Sequence, residues 1–277
     1  MTAALLFVGT TALLGLCVGS FLNVVVHRVP AGLSVVSPPS ACPDCGHGIR
    51  PRDNVPVLSW ALLGGRCRDC STPISARYPA VELATAALFA LVVVRFGTAV
   101  VTATDVRTAL AGAVLLVVML YLMAITVALT LIDLDVRRLP NAIVLPAYPV
   151  SAVLLTVASA VSGDWGALVR AGVGLLVLGG LYLLLALAVP GGMGFGDVKL
   201  AGVLGLVLAY LGWGPLAVGA FGAFLLGGTF AIVLLAVGRA GRGSGIPFGP
   251  WMLGGAWLGA AVGGPVFDGY LHVIGLA

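Results

Sequence analysis

The sequence predicts an all-α, polytopic membrane protein with one small extramembrane insertion near its N-terminus. Of its 277 residues, 60% are hydrophobic and only 9% are charged, and its mean hydropathy is +1.15. This composition leaves too little polar surface to cover a water-soluble globule. Long apolar runs alternate with short polar loops, and a single longer polar segment follows the first run.

About eight segments are long enough to form transmembrane helices. A spanning helix needs roughly 20 mostly apolar residues, because each residue rises about 1.5 Å across a hydrocarbon core of about 30 Å. A membrane β-barrel would need short alternating strands instead of these continuous runs. The predicted spans lie near residues 3–26, 79–97, 108–131, 142–161, 168–190, 199–212, 214–238 and 249–266.

The distribution of basic residues predicts the orientation of these helices. Loops rich in Arg and Lys are retained in the cytoplasm. An outside N-terminus leaves three basic residues outside, Arg95, Arg107 and Arg170. It places the polar insertion and the loops after the third, fifth and seventh spans in the cytoplasm, with Arg28, Arg50, Arg52, Arg66, Arg68, Arg77, Arg137, Arg138, Lys199, Arg239 and Arg242. The net charge of +4 therefore indicates topology and contact with anionic lipids, and it predicts no nucleic-acid partner.

The insertion divides the chain into a first helix at 1–27, a soluble domain at 28–78 and a membrane domain at 79–277. Two CxxC knuckles predict a four-thiolate zinc site in the soluble domain. Two disulfides are the alternative, but the cytoplasm keeps thiols reduced. Four thiolates leave no position for water, so the predicted zinc is structural and the domain zinc-ribbon-like. The ligands are Cys42, Cys45, Cys67 and Cys70.

Three aspartates stand at the cytoplasmic ends of predicted spans. Asp133 and Asp135 lie in LTLIDLDVRRLPN, and Asp197 lies in GGMGFGDVKL. An ionisable residue at the hydrocarbon boundary is costly and is therefore a candidate functional residue. Two carboxylates that share a proton can hydrolyse a peptide bond: the ionised one takes a proton from water while the protonated one polarises the carbonyl.

The glycines beside Asp197 favour a catalytic role, since Gly194 and Gly196 allow an extended substrate to approach the carboxylate. The alternative for each aspartate is structural, as a helix cap or in an ion pair with Arg137 or Arg138. Lys199 either supports the dyad or contacts substrate, or it anchors the helix at the lipid headgroups. Glu82 either supports the site from the protein interior or pairs with Arg77.

Taken together, these motifs resemble the bacterial type IV prepilin peptidases, membrane aspartyl peptidases of the GxGD group. The resemblance is carried by GSFLNVVVHRVP, the paired cysteines with RDNVPVLSW between them, ISARYPAVEL, IDLDVRRLPN and GMGFGDVKL. It extends in order from the first predicted helix to the sixth. The D-x6-P pattern of that family falls on Asp133 and Pro140, and its GxGD aspartate falls on Asp197.

The resemblance implies an aspartic endopeptidase of the bacterial inner membrane. Such an enzyme removes the basic leader from type IV pilin or pseudopilin precursors at the cytoplasmic face. Members with the cysteine domain also methylate the new N-terminal amine with S-adenosylmethionine. The sequence shows no nucleotide-binding loop for that donor, and it does not specify an oligomeric state.

Three alternative functions remain at this stage. A different GxGD intramembrane protease would lack the cysteine module. A transporter would use the interfacial aspartates as ion sites. A third possibility is a noncatalytic scaffold of a secretion machine.

Overall fold

The computed structural model describes residues 2–189, 192–238 and 247–276, and these segments form helices and no extended strand. Arg239 and Arg242, which support the predicted topology, lie outside the described residues. The helices are α1 Thr2–Arg28, α2 Leu58–Leu62, α3 Arg77–Phe96, α4 Thr98–Val101, α5 Val106–Val136, α6 Asn141–Ser162, α7 Trp165–Ala188, α8 Phe195–Leu211, α9 Trp213–Ala236 and α10 Gly249–Val273.

The all-α prediction is confirmed, and the eight long helices of the described chain coincide with the eight predicted segments. Six of them, α1, α3, α5, α6, α7 and α9, are long and apolar enough to cross a membrane. The helix α8 has 17 residues, which is shorter than the roughly 20 that a spanning helix needs. The chain divides into two compact units, one of residues 1–102 with 119–128 and one of residues 103–118 with 129–277.

In the first unit, α1 packs against α3 through small residues. A Cβ added to Gly15 would lie 2.7 Å from the Cα of Ala86, and one added to Gly19 would lie 2.8 Å from the Cα of Glu82. Small residues let helix backbones approach closely in a membrane, where packing replaces hydrophobic transfer as the main source of association. The polar insertion joins these two helices.

In the second unit, α8 is the buried central helix. All residues from Leu200 to Tyr210 are buried, as expected for a helix that is apolar on every side. Helix α7 packs tightly on it, since a Cβ at Gly179 would lie 3.3 Å from the Cα of Gly202. Because α8 is enclosed by protein, its short length does not have to match the bilayer. Its N-terminus carries Asp197.

Candidate active site

Asp133 lies in the last turn of α5 and is 5% exposed. Its carboxylate oxygen Oδ2 accepts a hydrogen bond of 3.0 Å from the backbone N–H of Gly249, the first residue of α10. A side chain at that position would require the carboxylate or the start of α10 to move, because a Cβ on Gly249 would lie 2.7 Å from Oδ2. The positive N-terminal end of α10 therefore stabilises a charge on Asp133.

Asp197 lies in the first turn of α8 and is half-buried. Its Oδ2 accepts a hydrogen bond of 3.2 Å from the backbone N–H of Gly194, the residue that caps the helix. The structural alternative from the sequence is thus present in part, since Asp197 does cap a helix. That role occupies Oδ2, and Oδ1 keeps its lone pairs for another donor.

Leu139 is the residue at which the two aspartate motifs meet. A Cβ on Gly196 would lie 3.0 Å from the Cβ of Leu139, and a Cβ on Gly249 would lie 3.2 Å from its Cδ2. The two motifs, distant in sequence, therefore form one site. Sequence reasoning missed Leu139, although its place directly before Pro140 was a usable signal.

Asp135 is exposed, whereas Asp133 is buried. The two residues are two positions apart on an α-helix, which turns by about 100° per residue, so their side chains point to nearly opposite sides of the helix. Only one of them can face α10. Helix α5 ends at Val136, and the left-handed backbone conformation of its capping residue Arg137, with φ of 54°, turns the chain towards α6.

Lys199 connects the two motifs from the side of α8. Its Nζ donates a hydrogen bond of 3.0 Å to the side-chain oxygen of Asn141, the residue that follows Pro140 and begins α6. Two turns further along α6, the hydroxyl of Tyr148 donates a hydrogen bond of 2.6 Å to the backbone carbonyl of Lys199. Both bonds fix the first turns of α8, and with them Asp197, against α6. Asn141 and Tyr148 were not found from the sequence.

Glu82 lies in α3, in the first unit, whereas both Asp133 and Asp197 belong to the second. It is 7% exposed, and its Oε2 accepts a hydrogen bond of 2.7 Å from the backbone N–H of Val57. Val57 has a positive φ of 60° and precedes α2. The observed contact of Glu82 thus anchors the polar insertion to α3.

The four cysteines of the insertion form a cluster that fits a zinc ion. Their sulfur atoms all lie within 4.8 Å of one another, and the sulfurs of Cys42 and Cys70 are 3.7 Å apart. A tetrahedral ion with Zn–S bonds of about 2.3 Å places sulfurs about 3.8 Å apart, whereas a disulfide requires about 2.05 Å. Cys17, in α1, is not a member of the cluster.

The two knuckles have the same backbone design. Cys42 and Cys67 each donate a backbone hydrogen bond across their turn, to His47 and Thr72, and each knuckle closes with an antiparallel bridge. Gly46 and Ser71 occupy equivalent positions, with φ of 72° and 61°. Ser71 therefore adopts a left-handed backbone conformation that glycine occupies more readily than other residues.

Polar contacts join one knuckle to the other. Arg50 forms a salt bridge of 2.9 Å with Asp69, and the hydroxyl of Thr72 donates a hydrogen bond of 2.6 Å to Asp44. The two knuckles thus hold their sulfurs together around one point.

Comparison with known proteins adds two family matches. A model described as the bacterial peptidase A24 N-terminal domain matches residues 13–96, and one described as the type IV leader peptidase family matches residues 120–232. The first contains the cysteine cluster, and the second contains both aspartates. No solved structure matches the chain significantly.

Several curated proteins resemble the chain over most of its length. A prepilin leader peptidase/N-methyltransferase of Pseudomonas aeruginosa is 37% identical, over 98% of this chain and 96% of its own. Proteins of the same name are 35% identical in Aeromonas hydrophila, over 96% and 94%, and 39% identical in Myxococcus xanthus, over 82% and 63%.

Proposed function

The chain belongs to the type IV leader peptidase family, and on that premise we propose that it cleaves the leader peptide from type IV prepilins or pseudopilins and then N-methylates the new N-terminus. The observation that carries the peptidase proposal is that Leu139, which follows Asp133 in the chain, lies against Gly196, which precedes Asp197, and against Gly249, which binds Asp133. Each aspartate is held by a backbone N–H from a glycine. Two such carboxylates provide the groups that peptide hydrolysis requires.

In the proposed reaction, the two carboxylates share one proton. The ionised aspartate removes a proton from water, and the resulting hydroxide adds to the scissile carbonyl carbon while the protonated aspartate donates to the carbonyl oxygen. The tetrahedral intermediate collapses, the C–N bond breaks and the leaving amine takes up a proton. We assign acid and base roles to the pair and not to either residue, because closely coupled carboxylates titrate as a unit.

We further propose that the catalytic pair faces the cytoplasm of a bacterial inner membrane. The excess of Arg in the loops on that side supports this orientation. The loop between α5 and α6 contains Arg137 and Arg138, which are exposed and suited to anionic lipid headgroups. A prepilin would then present its scissile bond at the headgroup level, directly before its apolar helix.

The geometry of the cysteine cluster supports a zinc site, whereas no described residues are assigned to the methyl donor. We propose that Cys42, Cys45, Cys67 and Cys70 hold a structural zinc, since their spacing fits a closed tetrahedral site. S-adenosylmethionine is the proposed donor for methyl transfer. We assign it no residues, because the described segments contain no glycine-rich loop from a strand into a helix.

The direct test uses the purified protein in detergent, a prepilin substrate and isotope-labelled S-adenosylmethionine. We expect the leader to be released and the label to appear on the new N-terminal residue. A substrate whose leader is already removed, assayed alongside, separates methylation from cleavage. A wild-type protein that leaves the prepilin intact but drives ion uptake into vesicles would refute the peptidase proposal in favour of a transporter.

Gly249→Ala is expected to lower cleavage roughly 10- to 100-fold without preventing folding. The added methyl group would lie 2.7 Å from Asp133 Oδ2, so the carboxylate or the start of α10 must move. A displacement of about 1 Å in a catalytic group can reduce rates about 100-fold. The measurement is kcat for prepilin cleavage.

The matched control is Gly254→Ala, also in α10, where the added Cβ meets its nearest neighbour at 3.6 Å, an ordinary contact distance. This variant should retain wild-type cleavage. Equal activities of the two variants would show that the contact between Gly249 and Asp133 has no role in catalysis.

A further inference from the structure

The short helix α2 of the polar insertion is attached to the membrane-spanning helix α3. Glu82 of α3 accepts a hydrogen bond of 2.7 Å from the backbone N–H of Val57, the residue before α2. Helix α1 packs on α3 at the same level, since a Cβ on Gly19 would lie 2.8 Å from the Cα of Glu82. The start of α2 therefore lies beside α3 within the first unit.

The level of this hydrogen bond places α2 at the edge of the bilayer. Helix α3 has 20 residues and a length of about 30 Å, which is the thickness of the hydrocarbon core. Glu82 is the sixth residue of α3, about 7.5 Å along the helix axis from Arg77. One glutamate side chain and one hydrogen bond cover no more than about this distance. Val57 therefore lies level with the first turns of α3, and α2 begins near the boundary between acyl chains and headgroups.

One side of α2 is fixed in the insertion by polar contacts. Ser59 is buried, and its hydroxyl donates a hydrogen bond of 3.0 Å to the backbone carbonyl of Arg52. The indole N–H of Trp60 donates a hydrogen bond of 3.0 Å to the backbone carbonyl of Ile74, and a Cβ on Gly65 would lie 2.9 Å from the Trp60 ring. These contacts set the rotation of α2 about its axis and leave its other side facing outwards.

The outer side of α2 is entirely aliphatic. Leu58 and Leu62 are about one helical turn apart, with 54% and 77% of their surface exposed, and Ala61 beside them is also exposed. Single exposed leucines are common on soluble domains, but a surface helix normally carries polar residues on its solvent side. The sequence of α2, LSWAL, contains no charged residue. Its outer side is therefore suited to an apolar environment.

Basic side chains lie on both sides of this apolar patch along the chain. Arg52 and Arg66 are exposed, one before α2 and one after it. Arg50 and Arg68 of the insertion form salt bridges with aspartates, whereas no ion pair of Arg52 or Arg66 is present among the described residues. Exposed guanidinium groups next to an apolar patch suit the phosphate groups of anionic lipids.

We propose that α2 is an interfacial anchor that lies in the surface of a bilayer containing anionic phospholipids. Leu58, Ala61 and Leu62 enter the boundary between headgroups and acyl chains, and Arg52 and Arg66 bind lipid phosphates. A phospholipid bilayer supplies both apolar and anionic groups at the level of α2. The insertion then lies on the membrane beside α3. This inference requires that α3 spans the membrane, and it does not depend on the proposed peptidase function.

The test places the photoreactive amino acid p-benzoylphenylalanine at Leu62 of the full chain, in nanodiscs of phosphatidylethanolamine and phosphatidylglycerol. Because Leu62 is largely exposed, the new side chain should leave the fold intact. After irradiation, mass spectrometry of the intact protein should show phospholipid adducts, as it should for the same amino acid at Leu83, an exposed residue of α3. The control is His47, exposed on the first knuckle, which should give few or no lipid adducts.

Two sets of results would overturn the inference. The first is a lack of lipid adducts at Leu62 while Leu83 gives them, or equal yields of lipid adducts at Leu62 and His47. The second is an adduct at Leu62 to the chain itself or to an added prepilin in place of lipid, which would assign the patch to a protein partner.

The contribution of charge is tested by combining Arg52→Gln with Arg66→Gln. Each basic residue near an anionic surface strengthens lipid binding roughly fivefold, so the preference of the Leu62 adducts for phosphatidylglycerol should fall roughly 10- to 30-fold. The control combines Arg137→Gln with Arg138→Gln, which removes two exposed basic residues outside the insertion and should leave that preference unchanged. An unchanged preference in the first double variant would overturn the assignment of Arg52 and Arg66 to lipid phosphates.

Discussion

Asp133→Asn and Asp197→Asn are each expected to lower prepilin cleavage by roughly 10,000-fold, the scale on which removal of one member of a catalytic group acts. Asparagine has nearly the shape of aspartate but cannot take up or release a proton at neutral pH. In each variant the amide oxygen of the new side chain could still accept the backbone hydrogen bond, from Gly249 at position 133 and from Gly194 at position 197. The loss of activity should therefore occur in proteins that remain folded.

The measurement is single-turnover cleavage of a purified prepilin by wild type, each variant and the double variant. In the proposed mechanism the two carboxylates act as a unit, so the double variant should be little worse than either single one. Asp135→Asn is the matched control on the same helix, since Asp135 is exposed. A variant at Asp133 or Asp197 that cleaves at the wild-type rate would exclude that residue from the catalytic pair.

Replacing Cys42 or Cys67 with serine is expected to abolish stable zinc binding and unfold the insertion at 28–78. This segment contains only one short α-helix and one 3-10 turn, and few of its residues are buried. Structural zinc contributes about 10–16 kcal/mol to the folding of small domains of this kind. Loss of one thiolate therefore removes more free energy than the salt bridges of the insertion can replace.

Metal content measured by mass spectrometry should fall from about one zinc per chain to nearly none in these variants. Limited proteolysis should then cut the insertion rapidly. Cys17→Ser controls for the loss of a thiol, because Cys17 lies in α1 and outside the cluster. Wild-type protein that is folded, has four reduced thiols and contains no zinc would refute the metal proposal.

The helices could be predicted from the sequence because their signal is local. A run of apolar residues has the same consequence wherever it stands in the chain, so eight segments were found with boundaries within a few residues, apart from the C-terminal ends of α5 and α10. The structure extends α5 to Val136, beyond the predicted end at residue 131, and α10 to Val273, beyond the predicted end at residue 266. The burial of α8 was not predictable, because its composition alone does not distinguish contact with lipid from contact with other helices.

The residues of the candidate site also fall into two groups, those that the sequence predicts and those that only the tertiary structure identifies. Residue types and short spacings indicated Asp133, Asp135, Asp197 and the four cysteines, since a knuckle or a motif lies within a few residues. The resemblance to the prepilin peptidases then favoured Asp133 over Asp135. Only the tertiary structure placed Asp133 and not Asp135 against α10, through a hydrogen bond between residues 116 positions apart. Leu139, Asn141 and Gly249 likewise became candidates only through packing, because contacts between distant segments depend on how helices fit together and leave no local pattern in the chain.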